Sequence, residues 1–257
     1  MRFETIEIEI DGGCHVLRLN RPDVLNALNA QMRAELRVAL REAASQARVI
    51  VLTGAGRAFC SGQDLGDGTA ATADLERILR DEYAPLITAI ADCPVPVMAA
   101  VNGAAAGAGA SLALACDVSV ATESAFFTQA FARIGLIPDA GASWVLPRSI
   151  GLQRAMGAAL FAERIGARQA AEWGMVWETV PDAVFAAHWR ARARVLAEGP
   201  TLAYRHIKTA LRSASGTTLE AQLDLEARLQ GDCARSRDFQ EGVVAFSGKR
   251  PPAFEGR

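Results

Sequence analysis

Two stretches of this chain, RVIVLTG at 48–54 and VMAAVNG at 97–103, are apolar almost throughout and each ends at glycine. A strand with no polar face has nothing to offer solvent, so it must be covered on both sides. That requirement points to parallel strands under layers of helix. The flanking segments can supply the helices. Residues 22–45 read as a loop and then a helix, NAQMRAELRVALREAA, with apolar positions three and four apart, and a second helix is predicted over about 74–92. At the amino end FETIEIEI (3–10) alternates with period two, and Asp11-Gly12-Gly13 turns it into a second strand, CHVLRL. GAAAGAGASLALACDVSVAT reads as a glycine turn, a short apolar helix near 109–116 and a further strand. Beyond residue 140 the periodicity is helical almost throughout, with breaks at Gly151, Gly166, Pro181, Pro200 and Gly216. The fold class is therefore α/β, strands alternating with helices before a C-terminal helical region of about 60 residues.

The bulk properties exclude several functions. A formal charge of −2 leaves no basic footprint, so no nucleic-acid partner is expected. No apolar run reaches membrane-spanning length, and MRFETIEIEI is unlike a signal peptide, which gives a cytoplasmic reading with no membrane partner. The five cysteines are scattered singly, without a CxxC pair, so neither a disulfide framework nor a zinc site fits. Cys60 sits beside a glycine-rich stretch, but no histidine lies near it in sequence, and it reads as a small buried hydrophobe. His15, His188 and His206 lack ligand spacing, and no metal is expected.

Two glycine-rich stretches, GAGRAFCSGQDL (54–65) and NGAAAGAGASL (102–112), each follow a buried strand. Neither fits GxGxxG, neither carries the Lys-Ser/Thr ending of a phosphate loop, and GxSxG is absent. Small residues at such turns let a ligand carbonyl approach free backbone N–H groups, and two converging turns would make an oxyanion hole. They would equally serve tight packing, and the residues alone leave both open. IGLIPDAGASW (134–144) raises a similar choice for Asp139, which suits turn chemistry and helix capping as well as proton transfer.

LNRPDVLNALN, GAGRAFCSGQDL, PVMAAVNGAAAGAGASLALACD and IGLIPDAGASWVLPRSIG, in this order and with the ending EGVVAFSGKRPPAF, resemble the crotonase (enoyl-CoA hydratase/isomerase) superfamily along essentially the whole chain. The resemblance implies a spiral core of ββα units over 1–195 and a helical region over 196–257 used in trimerisation, giving a homotrimer or a dimer of trimers. It implies an acyl-CoA thioester substrate, with coenzyme A part of that substrate and no separate cofactor. Its two oxyanion-hole donors fall on the backbone N–H groups of Gln63 and Ala108. Adenine and pantetheine would lie near Ser61, Asp64 and Leu65, and the C-terminal helix of a neighbouring subunit would bring Phe246 and Lys249 to the nucleotide.

The departures from the family pattern narrow the chemistry. Hydratases of the family use two glutamates, and their positions here hold Ser111 and Phe131, left to line the acyl pocket. Neither side chain is a general base at neutral pH. Asp139, eight residues beyond Phe131, falls where several branches place a working aspartate: dienoyl-CoA isomerases, aryl-CoA dehalogenases and the ring-epoxide isomerase of phenylacetate catabolism. The dehalogenase pattern wants tryptophan at 131 and a histidine before the second glycine turn, where this chain has Phe131 and no histidine between 15 and 188. The third branch is matched by AAAGAGASLAL, TQAFARIGLIPDAG, AEWGMVWETVPD and KRPPAFEGR. The resemblance thus implies an acyl-CoA isomerase with Asp139 catalytic, converting 1,2-epoxyphenylacetyl-CoA to oxepin-CoA or shifting a double bond. An enoyl-CoA hydratase and a non-catalytic acyl-CoA-binding subunit are the alternatives. Phe126, Phe127 and Phe131 would form an apolar wall that excludes water and raises the carboxyl pKa, though of the adjacent pair one is expected to face each way.

Overall fold

The computed structural model describes residues 3–66 and 74–257. Most of the glycine-rich loop expected over 66–73 lies outside the described residues. The strands in chain order are β1 (Ile6–Asp11), β2 (Cys14–Leu19), β3 (Val49–Gly54), β4 (Ala58–Cys60), β5 (Val97–Val101), β6 (Ala104–Ala106), β7 (Val118–Thr122), β8 (Phe126–Thr128), β9 (Ile165–Gly166) and β10 (Glu178–Val180). They form a six-stranded sheet of order β1-β2-β3-β5-β7-β10 and a four-stranded sheet of order β4-β6-β8-β9. The β1–β2 hairpin is antiparallel, and from β2 to β10 the large sheet is parallel.

The helices are α1 (Ala30–Ala44), α2 (Leu75–Ile78), α3 (Ala84–Ala91), α4 (Ala108–Ala115), α5 (Ala142–Ile150), α6 (Leu152–Phe161), α7 (Ala167–Glu172), α8 (Asp182–Glu198), α9 (Thr201–Ser213), α10 (Leu219–Ala234) and α11 (Arg237–Ser247). Every residue of β3 and β5 is buried, as their continuous apolar character demands. Phe185, Trp189 and Ala193 of α8 cover Val49, Val51 and Met98 on one face. Ile50, Leu52 and Val97 join the main core with residues of α1, α3 and α4 on the other. Full burial of each large apolar side chain contributes roughly 1.5–3 kcal/mol.

Three times the chain leaves the large sheet, forms a strand of the small sheet and then a helix: β3–β4 before α2 and α3, β5–β6 before α4, and β7–β8 before α5. This is a spiral of ββα units. β4 and β6 correct the reading of both glycine-rich stretches as turn and loop alone. Three residues are too few to show alternation, and what makes room for them is glycine: a Cβ on Gly54 would lie 2.1 Å from the Ala58 carbonyl oxygen, and one on Gly103 would lie 2.2 Å from that of Arg57. The helical half likewise contains β9 and β10, the latter pairing parallel to β7. The first strand starts at Ile6, not residue 3, because the amides of Glu4 and Thr5 donate to the Glu35 carboxylate instead of to a strand.

The helix predicted over 74–92 is interrupted by a π-helical turn at Leu79–Tyr83. α8 runs to Glu198, so the 195/196 boundary falls in its last turn. α9 is fastened to the core through Asp117, which pairs with Lys208 at 2.7 Å and Arg212 at 2.8 Å. Among the described residues no helix is long and apolar enough to cross a membrane.

Candidate active site

A cavity of about 650 Å³ opens where the two glycine turns meet. Its lining comes from four places: Ser61, Gly62, Gln63 and Leu65 after β4; Gly107 and Ala108 after β6; Leu75, Ile78, Leu79 and Tyr83 of the interrupted helix; and Ala130, Phe131, Arg133, Ile134, Leu136 and Asp139 from the segment after β8. The turns touch. A Cβ on Gly62 would lie 2.7 Å from the Ala106 carbonyl oxygen and 3.3 Å from the Ala108 nitrogen, so only glycine lets the two backbones approach this closely.

Both expected donors are free of secondary structure for a geometric reason. Ala108 is the first residue of α4, where an amide has no intrahelical partner. Gln63 pairs with Leu28 in an isolated parallel bridge whose hydrogen bonds are carried by its neighbours. The Leu28 amide donates to Gly62 at 2.8 Å and the Asp64 amide donates to Leu28 at 3.2 Å, which turns the Gln63 N–H away from that pairing.

Asp139 lines the same cavity, and its Oδ1 is buried without a hydrogen-bond partner. Burial pushes its carboxyl up from the ordinary 3.8 to about 6. The carboxylate does not cap the following helix, contrary to the capping alternative. The N-cap of α5 is Gly141, and Asp139 contributes there only its backbone carbonyl, which accepts from the Ala142 amide at 2.9 Å. Ala140 and Gly141 both take left-handed backbone (φ 48° and 85°), turning the chain sharply after the aspartate.

The other expected residues divide. Phe131 is buried against the cavity, its ring 3.8 Å from where a Cβ on Gly107 would sit. Ser61 and Leu65 line the cavity. Asp64 does not: its carboxylate accepts from the Gly66 amide at 3.0 Å and from Arg21 at 2.7 Å, contacts that hold it below the usual carboxylate range and fix the turn. Ser111, expected in the acyl pocket, does not line the cavity: it is buried one turn into α4, where its hydroxyl donates back to the Gly107 carbonyl at 3.2 Å. Phe246 and Lys249, exposed at the end of the C-terminal helices, are not part of this chain's cavity lining. The three-phenylalanine wall is also corrected. Phe127 is fully buried in the core and Phe126 lies under Arg164, so the adjacent pair does face two ways but neither ring reaches the cavity. The apolar wall comes instead from Leu75, Ile78, Leu79, Ile134 and Leu136 around Phe131. Cys60 is buried behind the turn, and burial pushes its thiol up to about 12, which leaves no nucleophile there.

Sequence reasoning missed Tyr83 and Arg33. Tyr83 donates to the Gln63 side chain at 2.6 Å, and buried Arg33 donates to the same oxygen at 3.0 Å. An arginine on the apolar face of α1 was the available signal, since a cation there must have partners.

The enoyl-CoA hydratase/isomerase family matches residues 9–257. The chain is 61% identical over the full length of both chains to a Rhodobacter capsulatus protein named probable enoyl-CoA hydratase. It is 46% identical to the 1,2-epoxyphenylacetyl-CoA isomerase of Escherichia coli, over 99% of this chain and 100% of that one. Among solved structures, an enoyl-CoA hydratase from Bacillus anthracis superposes with a TM-score of 0.92 at 31% identity, covering 99% of this chain and 100% of that one. Fold, site and full-length similarity together place the chain in the enoyl-CoA hydratase/isomerase (crotonase) family.

Proposed function

We propose that the chain is an acyl-CoA isomerase in which Asp139 moves one proton while the amides of Gln63 and Ala108 hold the thioester oxygen. The observation that carries this reading is that Asp139 is the only carboxylate among the described lining residues, partnerless at Oδ1 and raised to about 6. A base near that value is ionised at neutral pH and still able to return its proton.

The chemistry needs one carboxylate. Asp139 takes a proton from a carbon activated by the thioester, the C–H electrons pass to the carbonyl oxygen, and a dienolate forms. The two amides meet the charge on that oxygen; losing one such donor typically costs about 100–1000-fold in rate. The carboxylic acid then delivers its proton to the far end of the conjugated system, so the double bond has moved and Asp139 is ionised again. For the oxepin reaction, the ring bond shared with the epoxide opens, the carbon beside the thioester loses a proton, and a ring carbon gains it. Phe131 and the leucine and isoleucine wall suit a six- or seven-carbon ring and keep bulk water from the acid. The similarity to the Escherichia coli isomerase supports a ring-derived substrate.

The Rhodobacter relative's name favours a second reading, hydration. Ser111 and Phe131 at the positions of the hydratase acids argue against it, since neither can activate a water. Phe246 and Lys249 lie outside this chain's cavity lining, and in the trimer or dimer of trimers we propose they meet the nucleotide bound to a neighbouring copy. A panel of acyl-CoA thioesters followed by mass spectrometry decides between the readings. Isomerisation gives a rearranged product of unchanged mass, abolished in Asp139→Asn with thioester binding retained. Gain of one water identifies a hydratase, and binding of every thioester without turnover identifies a non-catalytic subunit.

A further inference from the structure

Gln63 was singled out for its backbone, but its side chain is the most tightly held polar group at the cavity. Its Oε1 accepts from the Tyr83 hydroxyl at 2.6 Å and from Arg33 Nη1 at 3.0 Å. The same Arg33 nitrogen donates at 2.7 Å to the carbonyl of Leu28, the bridge partner of Gln63. The rest of the guanidinium is anchored on Glu82 through Nε at 2.9 Å and Nη2 at 2.7 Å. Its Cζ lies over the Tyr83 ring, 5.0 Å from the centroid. Arg33 and Tyr83 are each only 3% exposed. Glu82 and Tyr83 are consecutive residues of the π-helical turn Leu79–Tyr83, from which Glu82 holds Arg33 and Tyr83 reaches Gln63.

We infer that this cluster is a tether: Arg33 and Tyr83 are positioning residues that clamp the Gln63 side chain and thereby aim its backbone N–H at the thioester oxygen. The inference rests on the proposed oxyanion role of that amide. The bridge to Leu28 fixes the peptides on either side of Gln63 but leaves its own N–H uncommitted. The peptide that carries this N–H is held at one point, its Gly62 carbonyl, about which it could still rotate. With Oε1 gripped from two directions, the side-chain torsions and the backbone are set together. Oxyanion donors work because they need no reorganisation when charge develops, so the tether acts on kcat. A buried cation, a carboxylate, a phenol and an amide satisfy one another here at the cavity wall.

The test uses turnover of a 3-enoyl-CoA to its conjugated 2-enoyl isomer and two conservative variants, Tyr83→Phe and Gln63→Met. Tyr83→Phe keeps the ring beneath Arg33, and Gln63→Met keeps the length of the side chain without an acceptor. Each is expected to lower kcat about 10–100-fold, the scale of a misplacement near 1 Å. KM should stay within about threefold, because the anchoring of coenzyme A is untouched. The double variant should lose no more than the worse single, since both break one unit. Additive losses, or losses confined to KM, would overturn the tether and leave Tyr83 a packing residue. Ala108→Pro separates this from the underlying reading, because it deletes the other donor at a helix position that tolerates proline. If Ala108→Pro turns over normally, the oxyanion assignment itself fails. If it is crippled while Tyr83→Phe and Gln63→Met stay within twofold of the parent, only the tether is wrong.

Discussion

Replacing Asp139 by asparagine should make the protein more stable and nearly inactive, and both effects follow from the same burial. The carboxyl sits at about 6 against an ordinary 3.8 because the charged form is poorly solvated. A tenfold change in a protonation equilibrium corresponds to about 1.4 kcal/mol, so the ionised group destabilises the fold by at most about 3 kcal/mol. The side chain keeps some solvent access, which reduces that to about 1–2 kcal/mol. Asparagine removes the charge but leaves a buried polar atom without a partner, so the net gain is about 1 kcal/mol. For a chain of this size that raises the unfolding midpoint by about 2–4 °C.

The sign depends on pH. Well below the ordinary 3.8 the acid is protonated in folded and unfolded chains alike, and Asp139 carries no penalty. Between about 4 and 6 the unfolded chain ionises first and the penalty grows; above about 6 it is complete. Thermal unfolding of both proteins at pH 8 and near pH 4.5 should therefore show the asparagine variant ahead at the first and nearly level at the second. Its kcat should fall about 10²–10⁴-fold, and kcat/KM of the parent should rise with pH through a midpoint near about 6. A variant less stable than the parent at pH 8, or a parental midpoint near the ordinary carboxylate value, would refute the burial argument.

Other perturbations test the scaffold. Gly62→Ala should separate the two amide-bearing turns, since the new methyl would meet the Ala106 carbonyl oxygen at 2.7 Å at a backbone φ of +96°. We expect a loss of about 1–3 kcal/mol in urea unfolding and a fall in kcat out of proportion to any change in KM. Asp117→Ala strips the shared partner from Lys208 and Arg212 and an acceptor from the Val97 amide, and should cost about 3–5 kcal/mol, read as a lower urea midpoint. Cys60, with its thiol pushed up to about 12, should resist alkylation at pH 8 in the folded protein and react only after unfolding.

What could be read from the sequence was whatever a local pattern dictates. RVIVLTG and VMAAVNG could be nothing but strands covered on both faces, and α1 followed from the spacing in AQMRAELRVALREAA; the cap, the Asn29 side chain accepting from the Met32 amide, is what the structure adds. The small sheet was illegible for a physical reason. Strands of two or three residues show no period, and their existence depends on which backbones glycine allows to meet, as at Gly54 against Ala58. The same division holds at the site. Asp139, Gln63, Ala108, Ser61, Leu65 and Phe131 occupy motif positions and do surround one cavity. The wall from Leu75, Ile78 and Leu79 was hidden, because apolar residues on a helix look alike whether they face core or cavity. Phe127 shows the converse error, an aromatic placed in the wall that the alternation of β8 sends into the core.

The proton inventory of the cavity is what links these residues to the reaction proposed. Adding water across a double bond requires a proton to be taken from water at one point and supplied to carbon at another, which is why two acids suit that task. Moving a double bond returns the enzyme's group to its starting state with a single proton carried from carbon to carbon. Among the described lining residues there is one carboxylate, and Phe131 lines the same cavity where the family resemblance would place the second acid. Phe131 lines the cavity with the surrounding leucines and isoleucines, and burial is what lifts Asp139 toward useful basicity. In the isomerase we propose, the residue that forgoes water activation also lines the cavity in which one aspartate suffices.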